Sequence, residues 1–220
     1  MTIKMHDLFD LKRTIAFEYL SGFDVPWEAL SGIKEYIEIL GKSLPRDKYE
    51  KIAENVWVAK NAVISPTAHI GSNCIIDEGA EIRHCAYIRG SAIIGKGAVV
   101  GNSTELKNCI IFDNVQVPHF NYVGDSILGY KAHLGAGAVT SNVKSDKSLV
   151  NVTFNGEKIE TCLKKFGAIV GDYCEVGCNA VLCPGTVLGR NVTVYPTSMV
   201  RGFVGENSIL KNNGTIVIKT

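Results

Sequence analysis

In the stretch "SPTAHIGSNCIIDEGAEIRHCAYIRGSAIIGKGAVVG" (residues 65–101), Ile70, Ile76, Ile82, Ile88, Ile94 and Val100 are each six residues apart. A small side chain stands two positions before each of them: Ala68, Cys74, Ala80, Ala86, Ala92 and Ala98. An amphipathic helix repeats its apolar residues every three to four positions and a half-buried strand every two, so a strict six fits neither. It fits a parallel β-helix, in which each hexad is one short strand and its corner.

Outward from this block the beat extends back through Ile64 and Val58 to Ile52, and forward through Leu106 to Phe112. It resumes in a shifted phase at Leu128 and Leu134, and again at Val170, Val176, Leu182, Leu188, Val194 and Val200. Residues 141–166 drop it. They contain "VNVTFNGEKIET", whose Asn155-Gly156 between alternating runs signals a hairpin with a type I′ turn, expected to stand off the solenoid as an arm.

Before residue 50 the spacing is helical. Leu8, Leu11 and Ile15 share one face; after Asp24 and Pro26, the residues Trp27, Leu30, Ile33, Ile37 and Leu40 form a second stripe closed by Gly41. The expected organisation is an all-β chain with an N-terminal helical segment (1–50), a β-helix domain (51–205, insertion 141–166) and a tail (206–220) ending in a loop and a strand.

The 220 residues, 46% hydrophobic and 20% charged, suffice for one large domain, and a net charge of +1 without a basic cluster argues against a nucleic-acid partner. No segment approaches a membrane span, and the N-terminus lacks the uninterrupted apolar run of a signal peptide, so the expected location is cytoplasmic, with no membrane partner. Most of the seven cysteines are then buried small hydrophobes, Cys74 and Cys174 in the inward small slots among them. Cys174 and Cys178 lack the second ligand pair of a zinc site, and His84, His119 and His133 contain no closely spaced pair, so no metal is expected.

The phase shift falls at "QVPHFNYVGDSILG" (116–129), where Pro118 and Tyr122-Val123-Gly124 frame a short polar excursion carrying His119. From "GNSTELKNCIIFDNVQVPHFNYVGDSILGYKAHLGAGAVTSNVKSDKSLV" through the hairpin to "KKFGAIVGDYCEVGCNAVLCPGTVLG", the chain resembles the C-terminal acetyltransferase domain of the bifunctional sugar-1-phosphate nucleotidyltransferase/amino-sugar-phosphate acetyltransferases. It is most like the archaeal-type members, which share the "VPHxNYVGDSI" core and the hairpin, and more distantly like the bacterial enzyme that makes UDP-N-acetylglucosamine. The resemblance spans roughly residues 80–205.

It implies a left-handed β-helix with three hexads per coil, a homotrimer with active sites between subunits, and transfer of acetyl from acetyl-CoA to the amine of an amino sugar 1-phosphate such as glucosamine or galactosamine 1-phosphate. Nothing like the family's nucleotidyltransferase domain is expected in residues 1–50, so a separately encoded nucleotidyltransferase is the implied partner. The competing reading is a non-catalytic trimeric scaffold that binds a sugar nucleotide.

With 18 residues per coil, Arg89 and Lys107 are one coil apart at outward positions, and two cations stacked at about 4.8 Å call for an anion between them. The resemblance gives both a phosphate-holding role; Glu105 nearby leaves open a solvated surface pair. His119 matches the family's catalytic base, and an imidazole is a suitable acceptor for the proton an attacking amine must lose. Tyr122 and Asn142 match residues that contact the sugar and its phosphate, although Asn142 also suits a turn opening the insertion. In Gly135-Ala136-Gly137, Ala136 matches the position whose main-chain amide holds the thioester end of coenzyme A.

Three positions depart from the bacterial pattern. His133 stands where an asparagine contacts the sugar, Val143 replaces an aromatic residue, and the lysine that helps hold coenzyme A has no aligned equivalent, leaving Lys144 or Lys147 as substitutes. Lys164-Lys165 at the hairpin offers charge toward the coenzyme's phosphates. His119 and His133 are placed to share one cleft and perturb each other.

Overall fold

The computed structural model describes residues 3–219. Short parallel strands wind into a left-handed β-helix of three faces. Its inward ladders follow the hexads: Ile76, Ile94, Ile111, Leu128, Val170 and Leu188 on the first face; Ile64, Ile82, Val100 and Val117 on the second; Ile70, Ile88, Leu106 and Val123 on the third. These side chains, with Cys74 and Cys174, form the buried core, except that Ile64 and Ile70 at its open end are only partly buried.

The shifted phase has a cause the six-residue count did not anticipate. Ile76 pairs with Ile94 eighteen residues on, but Ile94 with Ile111 and Ile111 with Leu128 at seventeen. The missing residue lies at the corner between the third and first faces, where Tyr87–Ile94, Glu105–Ile111 and Tyr122–Leu128 run straight through as single strands. Left-handed backbone at Ser91, Asn108 and Asp125 (φ 52°, 48° and 49°) makes the bend. Ile111 therefore takes the slot expected for Phe112, and Phe112 instead buries its ring 5.0 Å from that of Phe9.

On the first face the residue beside each ladder position is also apolar and fully buried: Ile75, Ile93, Ile110, Ile127, Ile169 and Val187. These side chains point outward, and the N-terminal segment covers them, from His6, whose carbonyl accepts from Arg190, to Gly41, where Trp57 leaves no room for a Cβ. At about 2 kcal/mol for each fully buried aliphatic side chain, this cover is a large share of the fold's stability.

The segment is less helical than its spacing suggests. The first stripe breaks into Met5–Leu8, Leu11–Arg13 and Phe17–Leu20, because Asp172 pins the intervening residues extended: its carboxylate accepts from Asp10 N–H (2.6 Å) and its own N–H donates to Leu8 (3.0 Å). The second stripe is a 3₁₀ stretch, Pro26–Gly32, continuing as helix Ile33–Ser43; it passes through Gly41 and stops before Pro45.

Other boundaries also differ from expectation. Ile52 is half exposed on Tyr49–Ala53, a strand antiparallel to Val56–Ala59, so the coil begins at Val56. At the other end Ser208–Leu210 continues the second face in parallel, and Ile216–Ile218 folds back on it. The hairpin has its expected turn (Asn155 φ 50°, Gly156 φ 82°) but lies against the solenoid rather than standing off it. Val150 and Val152 are fully buried, and the Phe154 and Phe203 rings meet at 4.9 Å.

Candidate active site

At the corner between the second and third faces, one residue per coil sits two positions past the inward ladder residue: His84, Asn102, His119, Ala136 and Cys178. His119 is exposed, followed by Phe120 in left-handed backbone (φ 52°) and itself 63% exposed. Its ring makes no hydrogen bond among the described residues, while its backbone is held from both sides. His119 N–H donates to Asn121 Oδ1 (3.1 Å) and its carbonyl accepts from Gly137 N–H (3.0 Å).

Asn121 is the bolt of this corner. It is buried, and its Nδ2 donates to the carbonyls of Gly135 (2.8 Å) and Ala138 (3.0 Å) in the next coil. Gly101 in the preceding coil is obligatory, because a Cβ there would lie 1.6 Å from the Pro118 carbonyl oxygen. Ala136, one coil from His119, accepts from Asn179 N–H (2.9 Å), and its own N–H has no acceptor among the described residues.

The third–first corner is built differently and corrects the stacked cation pair. Lys107 is in register with Gly90 and Gly124, so Arg89 is the bulged extra residue of its coil and does not lie over Lys107. Each cation already has a carboxylate: Arg89 Nη1 is 3.0 Å from Glu105 Oε1, and Lys107 Nζ is 3.0 Å from both oxygens of Asp125. Lys107 retains 23% side-chain exposure and Asp125 only 5%.

Asn142 joins this group, its Nδ2 reaching both Asp125 Oδ2 and Tyr122 Oη, the latter at 3.1 Å. Tyr122 is in register with Glu105, and its hydroxyl pKa is pushed up, first by burial and then by the negative charge of Asp125 and Glu105. Lys107, Tyr122 and Asn142 therefore meet as expected, with Arg89 and Glu105 alongside.

Asp125, which nothing in the sequence reading singled out, is the residue they share. The available signal was its position eighteen after Lys107, the same spacing applied to Arg89 and Lys107.

His133 does not share a cleft with His119. It lies opposite Gln116, whereas His119 lies opposite Asn102, three residues or about 10 Å further along the strand. Its Nδ1 is instead 2.8 Å from Glu175 Oε2 on the second face. Lys147 is exposed in a turn, and neighbouring Lys144 is engaged by Ser148 and Asp146. Lys164 and Lys165 are exposed just before Phe166, whose N–H donates to the Asn142 carbonyl (3.0 Å).

A three-faced β-helix of hexads is the kind of fold that the hexapeptide transferase repeat builds. The family described as bacterial transferase hexapeptide (six repeats) matches residues 51–84, and the GMPPB C-terminal domain family matches residues 72–166. The bifunctional protein GlmU of Methanococcus maripaludis is 31% identical over 202 residues, 91% of this chain and 49% of that protein. The bifunctional sugar-1-phosphate nucleotidylyltransferase/acetyltransferase of Sulfurisphaera tokodaii is 32% identical over 112 residues, 51% of this chain and 28% of that protein.

This chain is thus similar to the hexapeptide-repeat transferases and to the C-terminal part of GlmU-type proteins, and it spans about half the length, or less, of the curated relatives it matches. Among solved structures, the putative acetyltransferase product of the BC4754 gene of Bacillus cereus covers 77% of this chain and 80% of its own at 14% identity and a TM-score of 0.42, a likeness too slight to carry functional weight. Among the described residues no helix is long and apolar enough to cross a membrane.

Proposed function

We propose that the protein is an acetyl-CoA-dependent N-acetyltransferase acting on an amino sugar 1-phosphate, glucosamine or galactosamine 1-phosphate, as a homotrimer whose active sites lie between subunits. Its product would pass to a nucleotidyltransferase. The observation that carries this reading is the His119 corner: an exposed imidazole without a partner, one coil from the unpaired N–H of Ala136, within the region matched by the GlmU-type relatives.

Adjacent coils are about 4.8 Å apart, so a base and an amide donor on neighbouring coils suit the two ends of one acyl transfer. Acetyl-CoA, when bound, supplies the activated acyl carbon. His119 takes the proton of the attacking amine as the C–N bond forms, and returns it to the leaving sulfur as the C–S bond breaks. The Ala136 N–H donates to the acyl oxygen, where negative charge develops. Tyr122, Asn142 and Lys107 contact the sugar and its phosphate, Arg89 lies beside them, and Lys164-Lys165, with Lys147, offer charge toward the coenzyme.

One observation favours a second reading. His133, standing where the bacterial pattern has a sugar-contacting asparagine, is tied to Glu175 instead, which fits a scaffold that binds a sugar nucleotide without turning it over. The test is incubation with acetyl-CoA and each amino sugar 1-phosphate, followed by mass spectrometry of the sugar and light scattering of the protein. A gain of one acetyl group by either sugar supports the enzyme, and a trimer mass supports the proposed assembly; a trimer that makes no product supports the scaffold.

A further inference from the structure

Asp125 carries more hydrogen bonds than a residue needed only to turn a corner. Its carboxylate, 5% exposed, receives Lys107 Nζ on both oxygens at 3.0 Å, Asn108 Nδ2 on Oδ1 at 3.0 Å, and Asn142 Nδ2 on Oδ2. The same Asn108 Nδ2 lies 3.1 Å from the Leu30 carbonyl of the covering N-terminal segment, and the Asp125 carbonyl accepts from Gly167 N–H (2.8 Å), where the chain returns from the hairpin. The carboxylate thus joins three coils, the backbone of the same residue holds the hairpin's return, and Asn108 links both to the cover.

Stability alone does not account for it. Burying a carboxylate–ammonium pair costs several kcal/mol of desolvation that the attraction only roughly repays, and a non-glycine residue in left-handed backbone adds about 1 kcal/mol. Serine at position 91 makes the same bend without any charge.

We infer that Asp125 is the positioning residue of the acceptor pocket, holding Lys107 and Asn142 where they meet the anionic end of the sugar; this rests on the acceptor reading proposed above. The ammonium has three donors. Asp125 takes at most two, so at least one remains for a ligand oxygen at the exposed part of Lys107. Asn142, with its amide aimed at Asp125 and Tyr122, is fixed in one orientation. The pocket's cation is thereby fixed in place and its charge tempered, which favours a ligand that matches this geometry over any anion that happens to diffuse in.

The test uses the full chain. In the wild type, acylation of Lys107 by an amine-reactive reagent, read by peptide mass spectrometry, is expected to be at least tenfold slower than that of Lys164 or Lys165; equal rates would overturn the inference without any variant. In Asp125→Asn, which keeps the side chain's shape, Lys107 labelling is expected to rise about tenfold. KM for the amino sugar phosphate should also rise about tenfold, with KM for acetyl-CoA unchanged. A folded variant with wild-type labelling and an unchanged sugar KM, or with both KM values raised equally, would contradict a positioning role. If the wild type shows no turnover the proposed function fails, and protection of Lys107 from labelling by glucosamine 1-phosphate then decides the inference alone: protection in the wild type and its loss in the variant support it, while the same protection in both overturns it.

Discussion

Two corners of the same three coils were solved by opposite means. At the second–third corner the chain keeps its full turn, the side chains His119 and Phe120 face solvent, and the bonds that hold the corner are buried beneath it in Asn121. At the third–first corner two of the three coils are one residue shorter and the other bulges Arg89 aside, the strands run straight through, and a covering segment seals Lys107, Asn108 and Asp125 into one network. The first arrangement leaves an imidazole free to exchange protons; the second leaves almost nothing free. The proposed function puts chemistry at the open corner and positioning at the closed one, although the sequence marks both with polar residues at similar spacing.

The comparison breaks most completely if the cover is removed. Deleting residues 1–45 would expose Ile75, Ile93, Ile110 and Ile127 as a continuous apolar ladder, and the expected outcome is aggregation instead of a folded chain, read by circular dichroism and light scattering. A soluble, folded product would show that the closed corner stands without its cover.

At the open corner, Gly101→Ala sets a Cβ against the Pro118 carbonyl and should cost roughly 3 kcal/mol, seen as a clear fall in Tm. The third corner, between the first and second faces, serves as a control that involves neither Asn121 nor Asp125, although Asp113 N–H donates to the Arg13 carbonyl of the cover (3.0 Å). There Asp113 has its pKa pushed up to about 6, chiefly by burial and opposed by the Lys96 N–H it accepts. A carboxyl raised in the folded state destabilises the protein above that value. The penalty fades as pH falls from about 6 toward the unfolded value of about 4. Asp113→Asn should therefore stabilise by about 1 kcal/mol at pH 7, after allowance for solvent screening, and by nothing near pH 4, in urea titrations at the two pH values.

The parts of the fold that repeat were legible. Hexads from Ile64 to Leu106 read the coil correctly because each ladder position needs one large and one small inward side chain, and Asn155-Gly156 read the turn because both residues need positive φ. What eluded the spacing was any departure of a single residue. Counting on by six from Leu106 lands on Phe112, although the shortened corner gives the slot to Ile111, and the same slip placed Arg89 over Lys107 when it is bulged aside.

The cover was half visible. Paired aliphatics in "CII", "AII", "SIL" and "AIV" declare a strand buried on both sides, a pattern passed over because only the inward member was counted. His119, Tyr122, Lys107 and Asn142 stand out in the sequence through their motif. Asp125 stood inside that motif, but a carboxylate whose task is to hold other side chains leaves no signature of its own.

The most direct measurement is thiol release from acetyl-CoA with glucosamine 1-phosphate and galactosamine 1-phosphate offered separately, comparing wild type with His119→Ala. His119 is exposed and its corner is held by backbone and Asn121, so the variant should keep its Tm and its assembly while losing at least a hundredfold in turnover with whichever sugar the wild type accepts. Turnover within a few-fold of wild type in a folded His119→Ala protein would contradict the account, because the open corner would then hold no base.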